Sequence, residues 1–174
     1  MSAHRERLRR TIVQTTDMTC ETLAFMFPML PPEDGREPGE QEHDDVLRVR
    51  VYFEGPVDGS LVLSMPREML PELAANMLGL DPDATTREQR ADAARELCNV
   101  VCGNVLPAVA GPEPVFSVSP PELCSDAPAP DSAACVSART WLDEGWVEVE
   151  FSVTGGIDRL PCPGEDPDGL RLVV

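Results

Sequence analysis

The stretch Thr86–Leu106, TREQRADAARELCNVVCGNVL, decides how this chain folds. Thr85 or Thr86 can cap a helix whose first turn carries Glu88 and Gln89. The helix continues through Ala94, Leu97, Val101 and Val105 to about Leu106, where Pro107 kinks or ends it. Ala94, Leu97, Cys98, Val101 and Val105 centre on one side of it. On the other side stands Asp92-x3-Glu96-x2-Asn99-x3-Gly103. At ~100° per residue these four positions span an arc of roughly 60°. If the apolar side packs on a sheet, two carboxylates, a carboxamide and a glycine point outward as a row. A polar face is ordinary on an amphipathic helix. Asn99 and Gly103 set this one apart, because both are poor helix formers and a mid-helix glycine costs about 1 kcal/mol relative to alanine.

Working outward, Leu8, Ile12, Met18, Leu23, Met26 and Phe27 approximate a helical stripe over 8–27, stopped by Pro28, Pro31 and Pro32. Residues 31–45 hold seven acids and three prolines and read as a solvated loop. From Val46 to Glu54 the pattern alternates, with Leu47, Val49 and Val51 on one side. A turn at 55–59 and a buried strand Ser60–Met65 complete a hairpin. Pro66 suits the first turn of a helix ending at Gly79. Val115–Val118 is a short strand, and 122–132 reads as loop. Cys135–Leu142 and Trp146–Val153 form a second hairpin, in which Val147, Val149, Phe151 and Val153 alternate. Leu170–Val174 is a candidate last strand. The sum is a single α/β domain built in layers rather than a doubly wound fold. It spans 11–174, behind a basic N-terminal tail, 1–10.

The chain has 174 residues, enough for one domain with a sizeable core. Its fourteen basic residues are all arginine, against thirty-one acids, for a net charge of −17 and a pI near 4.3. Without lysine there is no Walker A lysine, no Schiff base and no lysine general base. The acidity argues against nucleic-acid binding, which draws its affinity from cations. Arg5, Arg7, Arg9 and Arg10 make the first ten residues locally basic, but no signal-type apolar stretch follows. No run approaches the ~18 apolar residues of a membrane span. The expectation is a soluble cytoplasmic protein. The six cysteines form no Cys-x-x-Cys pair and read as reduced, mostly buried thiols. His4 and His43 sit in polar sequence, so no metal site is expected.

Glu96-Leu97-Cys98-Asn99-Val100-Val101-Cys102-Gly103-Asn104 resembles the signature of the CheC/CheX/FliY phosphatases of bacterial chemotaxis. That pattern is Asp-x3-Glu-x2-Asn, followed some twenty-odd residues on by a proline. Asp92, Glu96 and Asn99 fit it residue for residue. Pro120 and Pro121 follow Asn99 slightly closer than usual. The element order resembles CheX from about residue 10 to 155. Asp17-x3-Glu21-x2-Ala24 on the first helix has the same spacing, with alanine for asparagine and Pro28 where the glycine would be. It reads either as a silent half, which favours the single-site CheX type over the two-site CheC type, or as coincidence.

The resemblance implies a CheX-like domain with an antiparallel-rich sheet packed by three helices. It implies a phosphatase for the aspartyl phosphate of a CheY-like receiver domain, in chemotaxis or related two-component signalling. The receiver would supply the phosphoryl group, the Mg²⁺ and a lysine, so no cofactor of this chain's own is required. Asn99 would orient the attacking water, since a carboxamide donates and accepts at once. Glu96 would meet the receiver's lysine, Asp92 would add a second docking charge, and Gly103 would let the receiver's loop approach. A homodimer formed through the sheet is also implied. The alternative is a non-catalytic module of the same fold that binds a receiver or another signalling protein. A third reading, a structural partner in a motor or sensory assembly, requires an exposed apolar patch, and none is obvious outside the terminal strands. The acidic loop, the stretch 122–132 and the six cysteines depart from the family.

Overall fold

The computed structural model describes residues 3–31, 46–125 and 134–160. Helix α1, Ala3–Ala24, runs beside the sheet strand β6 (Cys135–Leu142) and the long helix α3 (Arg87–Ala110). The remaining strands are β1 (Pro28–Met29), β2 (Val46–Glu54), β3 (Gly59–Pro66), β4 (Ser117–Val118), β5 (Glu122–Leu123) and β7 (Gly145–Val153). Helix α2 spans Leu70–Leu78 and ends, as expected, at Gly79, whose φ of 66° is the left-handed conformation a helix C-cap favours.

Among the described residues all strand pairs are antiparallel, in the order β1-β6-β7-β3-β2-β4, with β5 also on β2. Period-two alternation sends Leu47, Val49, Val51, Phe53, Leu61, Leu63, Met65, Val147, Val149, Phe151 and Val153 to one face. All are buried, and they meet the apolar stripes of the helices in one core. Phe53 stacks on Phe151 at 5.2 Å between ring centroids. The other face carries charge. Arg139 pairs with Glu148 at 3.0 Å and lies 4.6 Å over the Trp146 ring, and Glu150 is 5% exposed beside them. Burial, reinforced by Glu148, pushes the Glu150 carboxyl up to about 7, against the opposing pull of Arg48, Arg50 and Arg139.

The expected α/β layering, with three helices on an antiparallel sheet, is what the structure shows. Several details differ. Residues 3–10, expected as a tail, are the first turns of α1: Leu8 is fully buried, Arg5 donates to the Cys135 carbonyl, and His4 lies 3.3 Å from the Ile157 carbonyl oxygen. The α1 stripe is Leu8, Ile12, Thr16, Thr19, Cys20 and Ala24. The Thr16 and Thr19 hydroxyls donate to the carbonyls of Ile12 and Thr15, which lets polar residues sit in it. Met18 and Phe27 are exposed instead. The helix stops at Ala24, before the prolines, because Phe25 turns left-handed (φ 53°) and Met26 N–H closes back on the Cys20 carbonyl. Pro28–Met29 then pairs with Leu142 and Trp141.

Exposed Phe25, Phe27, Met29 and Leu30 form an apolar run that the sequence reading did not isolate. Glu122–Leu123, expected as loop, pairs with β2. The acidic stretch 32–45 and the strand expected at Leu170–Val174 lie outside the described residues. Among the described residues, no helix is long and apolar enough to cross a membrane.

Candidate functional site

Helix α3 begins with a capping box: the Thr86 hydroxyl accepts from Gln89 N–H, and the Gln89 side chain accepts from Thr86 N–H. That fixes the helix phase. Ala94, Leu97, Cys98, Val101 and Val105 are each 0% exposed, so the opposite side faces outward. Asp92, Glu96, Asn99 and Gly103 are all exposed, and the row expected from the sequence is brought together on one helix face. Asp92 is held by Arg95 at 2.6 Å, which partly offsets its charge. No described residue bonds to the side chains of Glu96 or Asn99. Beneath the row, the Cys98 Sγ lies 3.5 Å from the Val49 carbonyl oxygen of β2. Burial raises the thiols of Cys98 and Cys102, the latter to about 12, so both serve as apolar packing.

Two residues that sequence reasoning missed belong to this helix. The helix does not end at Pro107 but runs on to Ala110 and the Gly111 cap, whose N–H bonds to the Pro107 carbonyl. Pro107 is exposed and lies four residues after Gly103, so it extends the row over an arc of roughly 80°. An interior proline costs about 3 kcal/mol and a glycine about 1, and here both stand on one exposed face. The angular arithmetic that found the row also places Pro107 on it. The second residue is Asn104, whose amide donates to the Thr19 hydroxyl at 3.0 Å and ties α3 to α1. Asn104 is therefore a structural bridge beside the row.

The Pro120–Pro121 segment lies between β4 and β5, along the outer edge of β2. Ser119 anchors it by exchanging bonds with the Tyr52 backbone. The α1 counterpart is built differently. Asp17 is half-buried and accepts from the Thr140 hydroxyl, Ala24 is fully buried, and Glu21 is exposed. Burial raises the Asp17 carboxyl, and the Thr140 bond opposes that rise. The same spacing thus gives no exposed row on α1. Among the described residues, no His, Cys, Asp or Glu side chains gather in a group that could hold a metal ion.

Residues 47–138 match the family described as chemotaxis phosphatase CheX. No curated protein matched the chain. A CheX crystal structure from Desulfovibrio desulfuricans is similar over 84% of this chain and 98% of its own, at 17% identity and a TM-score of 0.62. CheX from Vibrio vulnificus is similar over 88% of this chain and 99% of its own, at 18% identity and a TM-score of 0.62. A CheX–CheY–BeF3–Mg²⁺ complex from Borrelia burgdorferi is similar over 83% of this chain and 96% of the matched chain, at 17% identity and a TM-score of 0.56. At such identities the structural likeness is one of fold. The family match covers more than half the residues, and the chain belongs to the chemotaxis phosphatase CheX family.

Proposed function

We propose that this protein hydrolyses the aspartyl phosphate of a CheY-like receiver domain, with Asn99 orienting the attacking water. The carrying observation is the outward row of Asp92, Glu96, Asn99 and Gly103 on a helix whose opposite side is fixed in the core. Phosphoryl transfer asks a protein mainly for positioning and charge placement. Asn99, exposed and without a partner in the described chain, has its donor and acceptor available for a water. Glu96, one turn back, offers a carboxylate to a cation on the receiver, and Asp92 adds weaker charge because Arg95 already holds it. Membership of the CheX family and the similarity to a CheX chain solved with CheY support a receiver as partner. The Mg²⁺ of the reaction belongs on the receiver side in this reading.

The test is the lifetime of a phosphorylated receiver from the same organism, with wild type and with Asn99→Ala. The variant sits on an exposed helix face and should fold normally. Wild type should shorten the lifetime, and Asn99→Ala should remove most of that effect, on the order of 100-fold. If wild type binds the phosphorylated receiver and leaves its lifetime unchanged, the fold serves as a binding module and the catalytic reading is wrong.

A further inference from the structure

Gly103 and Pro107 stand one turn apart on the exposed row, and nothing in the described chain requires either. The Gly103 backbone is not left-handed, and a Cβ built on it would meet nothing within 4 Å. Alanine would fit there and would favour the helix. Pro107 is exposed inside the same helix, where any other residue would supply an N–H.

The two residues act on the same turn of the helix. In an α-helix the N–H of residue 107 bonds to the carbonyl oxygen of residue 103. Proline has no N–H, and its ring pushes the carbonyl four residues back away from the axis. A helical Cβ tilts toward the helix N-terminus, so the missing side chain at Gly103 clears the surface between that carbonyl and Asn99. Two residues that each weaken the helix therefore leave one freed backbone acceptor with a clear surface beside it, about one turn beyond Asn99 on the row.

We infer that the Gly103 carbonyl oxygen, bared by Pro107, is a docking acceptor that takes a hydrogen bond from an N–H donor on the receiver. The inference rests on the row being the receiver-docking face. Its chemistry follows from the row itself. A carbonyl only accepts, and the carboxylates of Asp92 and Glu96 on the same face favour a partner rich in donors. A bond at Gly103 would set how far along α3 the receiver sits, and so which of its atoms faces Asn99. Pro107 is on this account a positioning residue.

The experiment compares wild type, Pro107→Ala and Gly103→Ala. Three quantities are measured: thermal midpoint, kcat and KM on the phosphorylated receiver, and Kd for the receiver loaded with beryllium trifluoride and Mg²⁺. Both variants should melt at a higher temperature, since each installs a better helix former. Both should nevertheless raise KM and Kd by about twofold to tenfold, the scale of one hydrogen bond, with kcat changed less than twofold. Higher stability with weaker docking is a pairing that damage to the fold cannot produce. A Pro107→Ala protein with wild-type KM and Kd overturns the inference. If wild type binds the loaded receiver without shortening the phosphate lifetime, the phosphatase reading falls and the Kd comparison still judges Gly103. If wild type binds no receiver, both fall.

Discussion

Two asparagines five positions apart on α3 have different fates, and the difference is angular. Asn99 points out and meets nothing in the described chain, whereas Asn104 donates to Thr19 and joins two helices. Asn104→Ala should lower stability by about 1 kcal/mol, the usual worth of such a bond. For a domain of this size that is a fall of roughly 2–4 °C in the thermal midpoint. Calorimetry of the variant checks it, and an unchanged midpoint would show that α1 and α3 hold together without the bridge. The row of Asp92, Glu96, Asn99 and Gly103 was legible because side-chain direction on a helix follows from spacing alone. Asn104 was not, because its partner is 85 residues away in sequence. Pro107 was hidden for another reason. Proline usually kinks or stops a helix, and only the tertiary packing of Val109 and Ala110 shows this one continuing.

At the scale of elements, the capping box matters because it sets the phase of the helix that carries the row. Thr86→Ala removes the hydroxyl that accepts from Gln89 and should cost about 1 kcal/mol. Fraying would reach Asp92 before Asn99, so amide exchange should quicken at Gln89 and Arg90 and stay slow from Leu97 onward. Uniform slow exchange across the first turn would show the cap to be redundant. Both hairpins and α2 were readable in advance, each from a long periodic segment closed by glycine or proline. The two-residue strands β1 and β5 were not, since two residues carry no period and pair only because β6 and β2 are already in place. The arginines around Leu8 look like a tail in the sequence, whereas in the fold Leu8 is fully buried as part of α1. Asp17 and Asp92 make the same point. Equal spacing places them alike within their helices, but α1 turns its aspartate toward the sheet and α3 turns its own away.

For the molecule as a whole, the charged face of the sheet ties stability to pH. Glu150 holds its proton in the fold up to about 7, whereas the unfolded chain releases it near 4.5. Between those values the folded state binds the extra proton, so stability falls as pH rises through this window and levels off above it. Asp17, also raised by burial, acts in the same direction at lower pH. Urea denaturation at pH 5 and pH 7.5 should show the wild type weaker at the higher pH. Glu150→Gln, neutral throughout, should lose much of that difference. An equal loss in both proteins would place its source elsewhere than Glu150.

The placement of α1 bears on how the protein is made. The helix is fastened at one end through Arg5 and His4 to Cys135 and Ile157, in its middle through Asp17 to Thr140, and at its far end by paired bonds between Phe27 and Asp143. Each contact joins residues more than 115 positions apart. Ribosomes add roughly 5–20 residues per second, so on the order of ten seconds separates the synthesis of α1 from that of the hairpin it rests on. During that interval the Leu8–Ile12–Cys20 side of the helix is without its strand partners in the nascent chain. Among the described residues, the hairpin translated last is the one that seats the helix translated first.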